Sequence, residues 1–240
     1  WCPRCLTSLS DEEAEFHETT GAVFDTLAQI HLMRGSYERA EEYLRPAGHA
    51  YGAYGTQTMR WYEWSLKILG VKLAIRRGAF DDAVAMADDL AQSQGVPPSD
   101  AIQADLAACE ALVAAGRIDL AEQRLTGCED RLDPRGAPGN WGEFLRIRGL
   151  VHEQSGRASA AHHDFAQSAN VFELLGERYQ AALSQLALGR LAARAGTPST
   201  AQRYLDLAGS LYATLGAERD LEEVAAAAAV LERTPSAPAT

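Results

Sequence analysis

Cysteines two apart in a Cys-x-x-Cys spacing are half of a zinc knuckle, and the chain opens on that spacing in Trp1, Cys2, Pro3, Arg4 and Cys5. A tetrahedral site needs two more ligands, and His17 is the only donor nearby in sequence. Cys109 and Cys128 lie more than a hundred residues on, so the residues that would hold a metal are Cys2, Cys5 and His17. Against that stands the reading of ordinary loop thiols, and no cofactor is assigned. Four cysteines in 240 residues do not make a disulfide framework, and Cys109, inside an apparent helix, reads as a small core residue.

The remaining reactive side chains do not converge. His162 and His163 are adjacent, and neighbouring helix residues point about 100° apart, so the pair does not aim at one ion. The chain has no Gly-x-Ser-x-Gly nucleophile elbow, no Gly-rich phosphate loop before a lysine and no His-Glu-x-x-His helix. The acidic pairs Asp81 and Asp82, Asp88 and Asp89, and Glu222 and Glu223 read as solvated helix faces. The expectation is therefore a protein that is not an enzyme. The aromatic group Tyr51, Tyr54, Trp61, Tyr62 and Trp64 concentrates large amphipathic rings in a chain only 8% aromatic. Such rings suit a partner interface, with Trp61, Tyr62 and Trp64 as candidate contacts; the other reading is that some of them fill the groove between the first two repeats.

Elements to position these residues follow from composition and punctuation. With 47% hydrophobic and 23% charged residues the chain can bury a core, and alanine-leucine stretches such as residues 183–195 favour helix. Strand-type runs are absent from the sequence. A net charge of −11 opposes direct nucleic-acid binding and attraction to an anionic membrane, and no stretch nears the roughly 20 apolar residues a bilayer span requires. A cytoplasmic protein is expected. The chain starts at Trp1 without a methionine, which reads as a piece of a longer protein.

Five glycines share one context: Gly35, Gly78, Gly116, Gly156 and Gly196, spaced 43, 38, 40 and 40 residues apart. Five residues after each comes an alanine, namely Ala40, Ala83, Ala121, Ala161 and Ala201. Seven before each comes Ala28, Val71, Cys109, Gly149 or Gly189. The glycine supplies the left-handed conformation that ends a first helix, and small residues on both helices let the axes approach, so each unit predicts a tight helical hairpin. Gly55, Gly95, Gly176 and Gly216 close the second helices.

This punctuation resembles the tetratricopeptide repeat over roughly residues 20–215, best at Gly35, Tyr37, Ala40 and Ala47. The period is nearer 40 than the family's 34, and Pro198 stands where the fifth unit would carry an aromatic. The longer variety looks like repeats of bacterial signal-transduction regulators and of kinesin light chains. The resemblance implies an all-α fold, an α-solenoid of about five hairpins across residues 20–216. Residues 1–19 form a lead-in segment, 217–233 a capping helix with Leu221, Val224, Ala228 and Leu231 on its apolar face, and 234–240 a tail.

In that family the first helices of successive hairpins line a concave groove. The resemblance then puts Gln29, Lys72, Glu110, Leu150 and Arg190 in one row and Asp25, Ile68, Leu106, Arg146 and Leu186 in the next. Lys72, Arg146 and Arg190 would pair with acidic groups of a guest, and Ile68, Leu106, Leu150 and Leu186 would supply apolar contact. The family's carboxylate clamp of paired lysines and asparagines is not reproduced, so a receptor for chaperone tails is not expected. The expected function is an interaction or sensor module of a larger bacterial regulator, such as a transcription activator or a nucleotide cyclase, binding a protein or peptide or another domain of the same chain. The alternative is a self-association module forming a homodimer, and a third is an enzyme domain with an unrecognised site.

Overall fold

The computed structural model describes residues 18–54 and 60–233. Eleven helices run through the described residues: α1 Glu18–Met33, α2 Tyr37–Tyr54, α3 Arg60–Arg76, α4 Phe80–Gln92, α5 Pro98–Ala114, α6 Ile118–Glu129, α7 Pro138–Gln154, α8 Ala158–Leu175, α9 Arg178–Arg194, α10 Pro198–Leu215 and α11 Glu218–Arg233. The protein is all-α, with helices packed mainly on their sequence neighbours, an arrangement consistent with a helical repeat. Two compact units divide after Ala115. The lead-in helix expected near residues 8–18, the stop at Gly55 and the tail at 234–240 fall outside the described residues.

Every hairpin glycine is left-handed, with φ of 75° at Gly35, 78° at Gly78, 75° at Gly116, 74° at Gly156 and 71° at Gly196. In four of these turns the glycine N–H returns to the carbonyl three residues back and the next N–H to the one five back, as in Gly156 to Glu153 at 3.0 Å and Arg157 to His152 at 2.8 Å. Those bonds satisfy carbonyls that a helix end leaves without partners. Gly176 and Gly216 close α8 and α10 in the same way.

In the first unit, α1 pairs with α2 and α3 with α4, while α1 also touches α3 and α3 touches α5. Its cores gather Ala28, Leu32, Tyr37 and Ala40 with Leu69 and Leu73, then Trp64, Ile68, Val71, Ala83 and Leu90 with alanines of α5. In the second unit α7 pairs with α8 and α9 with α10, and α7, α9 and α11 touch in succession. A first helix is thus sandwiched, and α9 buries Ser184 through Gly189 without a break. The second helix α10 buries only one stripe, Ala201, Leu205, Ala208 and Tyr212, at steps of four, three and four residues.

In α7/α8 and α9/α10 the residue seven before the glycine is crossed closely by the one nine after it. A Cβ added to Gly149 would stand 2.5 Å from Cε1 of Phe165, and one on Gly189 would stand 2.7 Å from Cδ2 of Leu205. Ala28 and Leu44 share a cluster in the same order of sizes, whereas Val71 and Ala87 reverse it. One large and one small residue fill the space in each case. The five alanines after the glycines are all buried, with Ala161 at 0% exposure.

Candidate functional site

The two rows expected on the first helices differ in accessibility. Six residues before each glycine, Gln29 is exposed and Lys72 and Glu110 are half-buried in the first unit; Leu150 is half-buried and Arg190 exposed in the second. Ten residues before, Asp25, Ile68 and Leu106 are buried in the first unit, and Arg146 and Leu186 in the second. Helix geometry explains the contrast. The buried row lies one turn from the residue where the two helices of a hairpin meet, so it shares the interior face. The contacts of Ile68, Leu106, Leu186 and Arg146 are taken up by the protein's own packing, with Arg146 Nη2 4.0 Å from Glu143 Oε1. Lys72, Leu150 and Arg190 remain accessible.

The one cation of the second unit's accessible row, Arg190, is already engaged. Arg190 Nη2 donates to Glu223 Oε2 of α11 at 2.8 Å, both side chains being more than 40% exposed. One turn on, Arg194 pairs with Glu153 of α7. Burial pushes the Glu153 carboxyl above the usual carboxylate range, and the Arg194 and Arg190 cations oppose that shift. In the first unit Trp64 is only 5% exposed and packs in the core, with the Lys67 ammonium 4.9 Å from its ring centre. The side chains of Tyr51, Tyr54, Trp61 and Tyr62, together with Cys2, Cys5 and His17, lie outside the described residues.

A polar node in the second unit joins three helices and was not visible in the sequence. Arg148 of α7 holds buried Asp164 of α8 through Nε to Oδ2 at 2.9 Å and Nη2 to Oδ1 at 2.8 Å, and Nη1 donates to Glu129 of α6 at 3.0 Å. The Asp164 bonds, the largest influence, hold the Arg148 guanidinium above its ordinary pKa. His152 Nδ1 lies 3.1 Å from Asp164 Oδ2. The only sequence signal was the matched position of His31 and His152, each four residues before a hairpin glycine. Both contact the second helix of their hairpin: His31 stacks on Tyr43 at 5.4 Å, eight residues past its glycine, where the other hairpin carries Asp164. Burial is the main cause that lowers the His31 pKa, with Arg39 and Arg34 adding to it.

Further polar groups tie the second unit's hairpins together. Ser168 donates to the Gly142 carbonyl at 2.8 Å and its hydroxyl lies 2.9 Å from that of Ser184, all buried. Tyr179 donates to fully buried Asp220 at 3.1 Å, and Gln185 to Glu173 at 3.1 Å. These bonds satisfy groups whose burial would otherwise be costly. Among the described residues no three His, Cys, Asp or Glu side chains are grouped to hold a metal ion, and no helix is long and apolar enough to cross a membrane.

The fold and these rows define an all-helical protein of sequentially packed helices. The chain matches no protein-family model, no curated protein and no solved structure.

Proposed function

We propose that this chain is a tetratricopeptide-like solenoid of five helical hairpins closed by α11, and that it works as a non-catalytic interaction module which binds a protein or peptide along its first helices. The observation that carries the reading is the accessible row on those helices. Lys72 with Gln29 and Glu110 offers hydrogen-bonding and charged contact in one unit, and Leu150 with Arg190 offers an apolar and a cationic contact in the other. Consecutive first helices touch within each unit, which sets such residues at regular intervals along a surface. A guest carboxylate would meet Arg190 in competition with Glu223, so recognition there exchanges one ion pair for another.

Placement in a larger regulator, beside an output domain, rests on the resemblance of the repeats and on the arginine-rich composition in which Lys67 and Lys72 are the only lysines. The test is site-specific photo-crosslinking in the full-length protein, with the crosslinker at Lys72, Leu150 or Arg190 and controls at the exposed outer positions Leu120 and Asp206. Partner adducts confined to the first three positions are expected. Equal labelling from the controls would remove the first-helix surface as the binding face.

A further inference from the structure

The helix α11 stands in the 40-residue register of a first helix, because Gly216 follows Gly176 by 40 residues and both are left-handed caps. In that register Ala182, Leu186 and Gly189 of α9 correspond to Glu222, Ala226 and Ala229 of α11, and Leu188 and Leu191 correspond to Ala228 and Leu231. The backward-facing set behaves alike in both helices. Leu188 and Leu191 pack on Phe165 of the preceding hairpin, and Leu221, Val224, Ala228 and Leu231 pack on the cluster of Leu205 and Tyr212.

The forward-facing sets differ. On α9 that face is covered by α10: Ala182 and Leu186 are 0% and 3% exposed, and Leu205 crosses over Gly189. On α11 Glu222, Ala225 and Ala226 are exposed and Ala229 is half-buried. The same surface that accepts an antiparallel helix in the preceding hairpin is therefore open on α11, and it carries one change of chemistry. A carboxylate, Glu222, occupies the place of buried Ala182, and no ion pair engages it among the described residues.

We propose that this face of α11 docks an amphipathic helix of a partner protein, laid antiparallel, with a bulky apolar residue over Ala229 and a basic residue two turns further on, opposite Glu222. The occupant's chemistry follows from two features. Continuity of the hairpin interface fixes direction and spacing: the register that sets Leu205 over Gly189 sets Tyr212 near Ala182, seven residues along each helix. The carboxylate requires a cation at that second place, near the C-terminal end of the incoming helix, where the helix dipole also favours positive charge. This face omits the accessible row that carries Arg190, whose counterpart on α11 is Val230, and the proposal stands or falls without that row.

The test uses two stapled helical peptides of the Pro198–Leu215 sequence, one native and one carrying Tyr212→Arg, titrated into the whole protein by fluorescence anisotropy. The arginine peptide is expected to bind about twofold to fivefold more tightly than the native peptide, the range of one exposed ion pair. Glu222→Ala in the protein should erase that preference, Ala226→Glu should abolish binding of both peptides, and Glu122→Ala, which breaks only the exposed pair with Arg157, should leave binding intact. Absence of saturable binding, or binding indifferent to both α11 variants, overturns the proposal. A protein dimer seen by light scattering and dissolved by Ala226→Glu also overturns it, because the occupant would then be a second copy of the chain.

Discussion

Exchanging the sizes of two facing residues should show that hairpin α7/α8 is built on a close approach and not on helix propensity. A methyl group at Gly149 would stand 2.5 Å and 2.6 Å from two ring carbons of Phe165, a residue at 0% exposure. The ring is enclosed by Ala161, Leu188 and Leu191, so it cannot swing aside freely. Overpacking of this kind costs about 1–3 kcal/mol, against which replacing a helical glycine by alanine gains about 1 kcal/mol. Gly149→Val, with two further methyls and less helix gain, should lose about 2–4 kcal/mol. Phe165→Ala alone should lose about 3–5 kcal/mol by leaving a cavity. Together the two changes recreate the Val71 and Ala87 pairing of hairpin α3/α4. The double variant should therefore recover about 1–3 kcal/mol relative to the sum of the singles. Urea denaturation at equilibrium, followed by far-UV circular dichroism, measures the cycle. Gly127→Ala serves as the control, since nothing lies within 4 Å of its added methyl, and it should stabilise by up to about 1 kcal/mol. Strict additivity of the two core changes would refute the argument that these positions share one space.

Three other outcomes are expected. Asp164→Ala should destabilise by about 2–4 kcal/mol, because it strands the partly buried Arg148, while Glu122→Ala, which breaks the exposed pair with Arg157, should cost no more than about 0.5 kcal/mol; similar losses in thermal melts would contradict the ranking. Burial raises the Asp25 pKa more than the Gln29 hydrogen bond lowers it, so the folded state holds the proton more tightly than the unfolded one and stability should fall as pH rises between the two pKa values. Asp25→Asn should flatten that fall, and an unchanged slope in urea midpoints across acid to neutral pH would show that burial does not govern this carboxyl. Removal of residues 218–240 should uncover the Leu205 and Tyr212 cluster that α11 covers, giving aggregation in light scattering; a soluble, equally stable truncation would deny α11 that covering role.

Helix punctuation was legible because it depends on single residues acting locally. A glycine at the end of a helix adopts positive φ without a Cβ penalty, so five such glycines announced the turns before any packing was known. The burial of Ala40, Ala83, Ala121, Ala161 and Ala201 followed from the same spacing. Placement of the rows was less legible. Spacing alone assigns Ile68, Leu106, Arg146 and Leu186 to a helix face, but whether that face meets solvent depends on how many neighbours the helix has. The first helices are enclosed on several sides, and a charged residue such as Arg146 is carried inward with its apolar neighbours.

The sequence by itself determined that the protein is helical, where the hairpins turn, and which small residues allow two axes to approach, since each of these is a property of a few residues close together in the chain. Only the tertiary structure decided which charges are occupied and which faces are open. Arg148 finds Asp164 and Glu129, and Arg190 finds Glu223, across 16, 19 and 33 residues, distances over which no periodicity reports a partner. Glu222 and Ala226 read in sequence as an ordinary polar-and-alanine helix face. Their exposure has meaning only beside Ala182 and Leu186, whose matching face is covered by the helix that folds back on it.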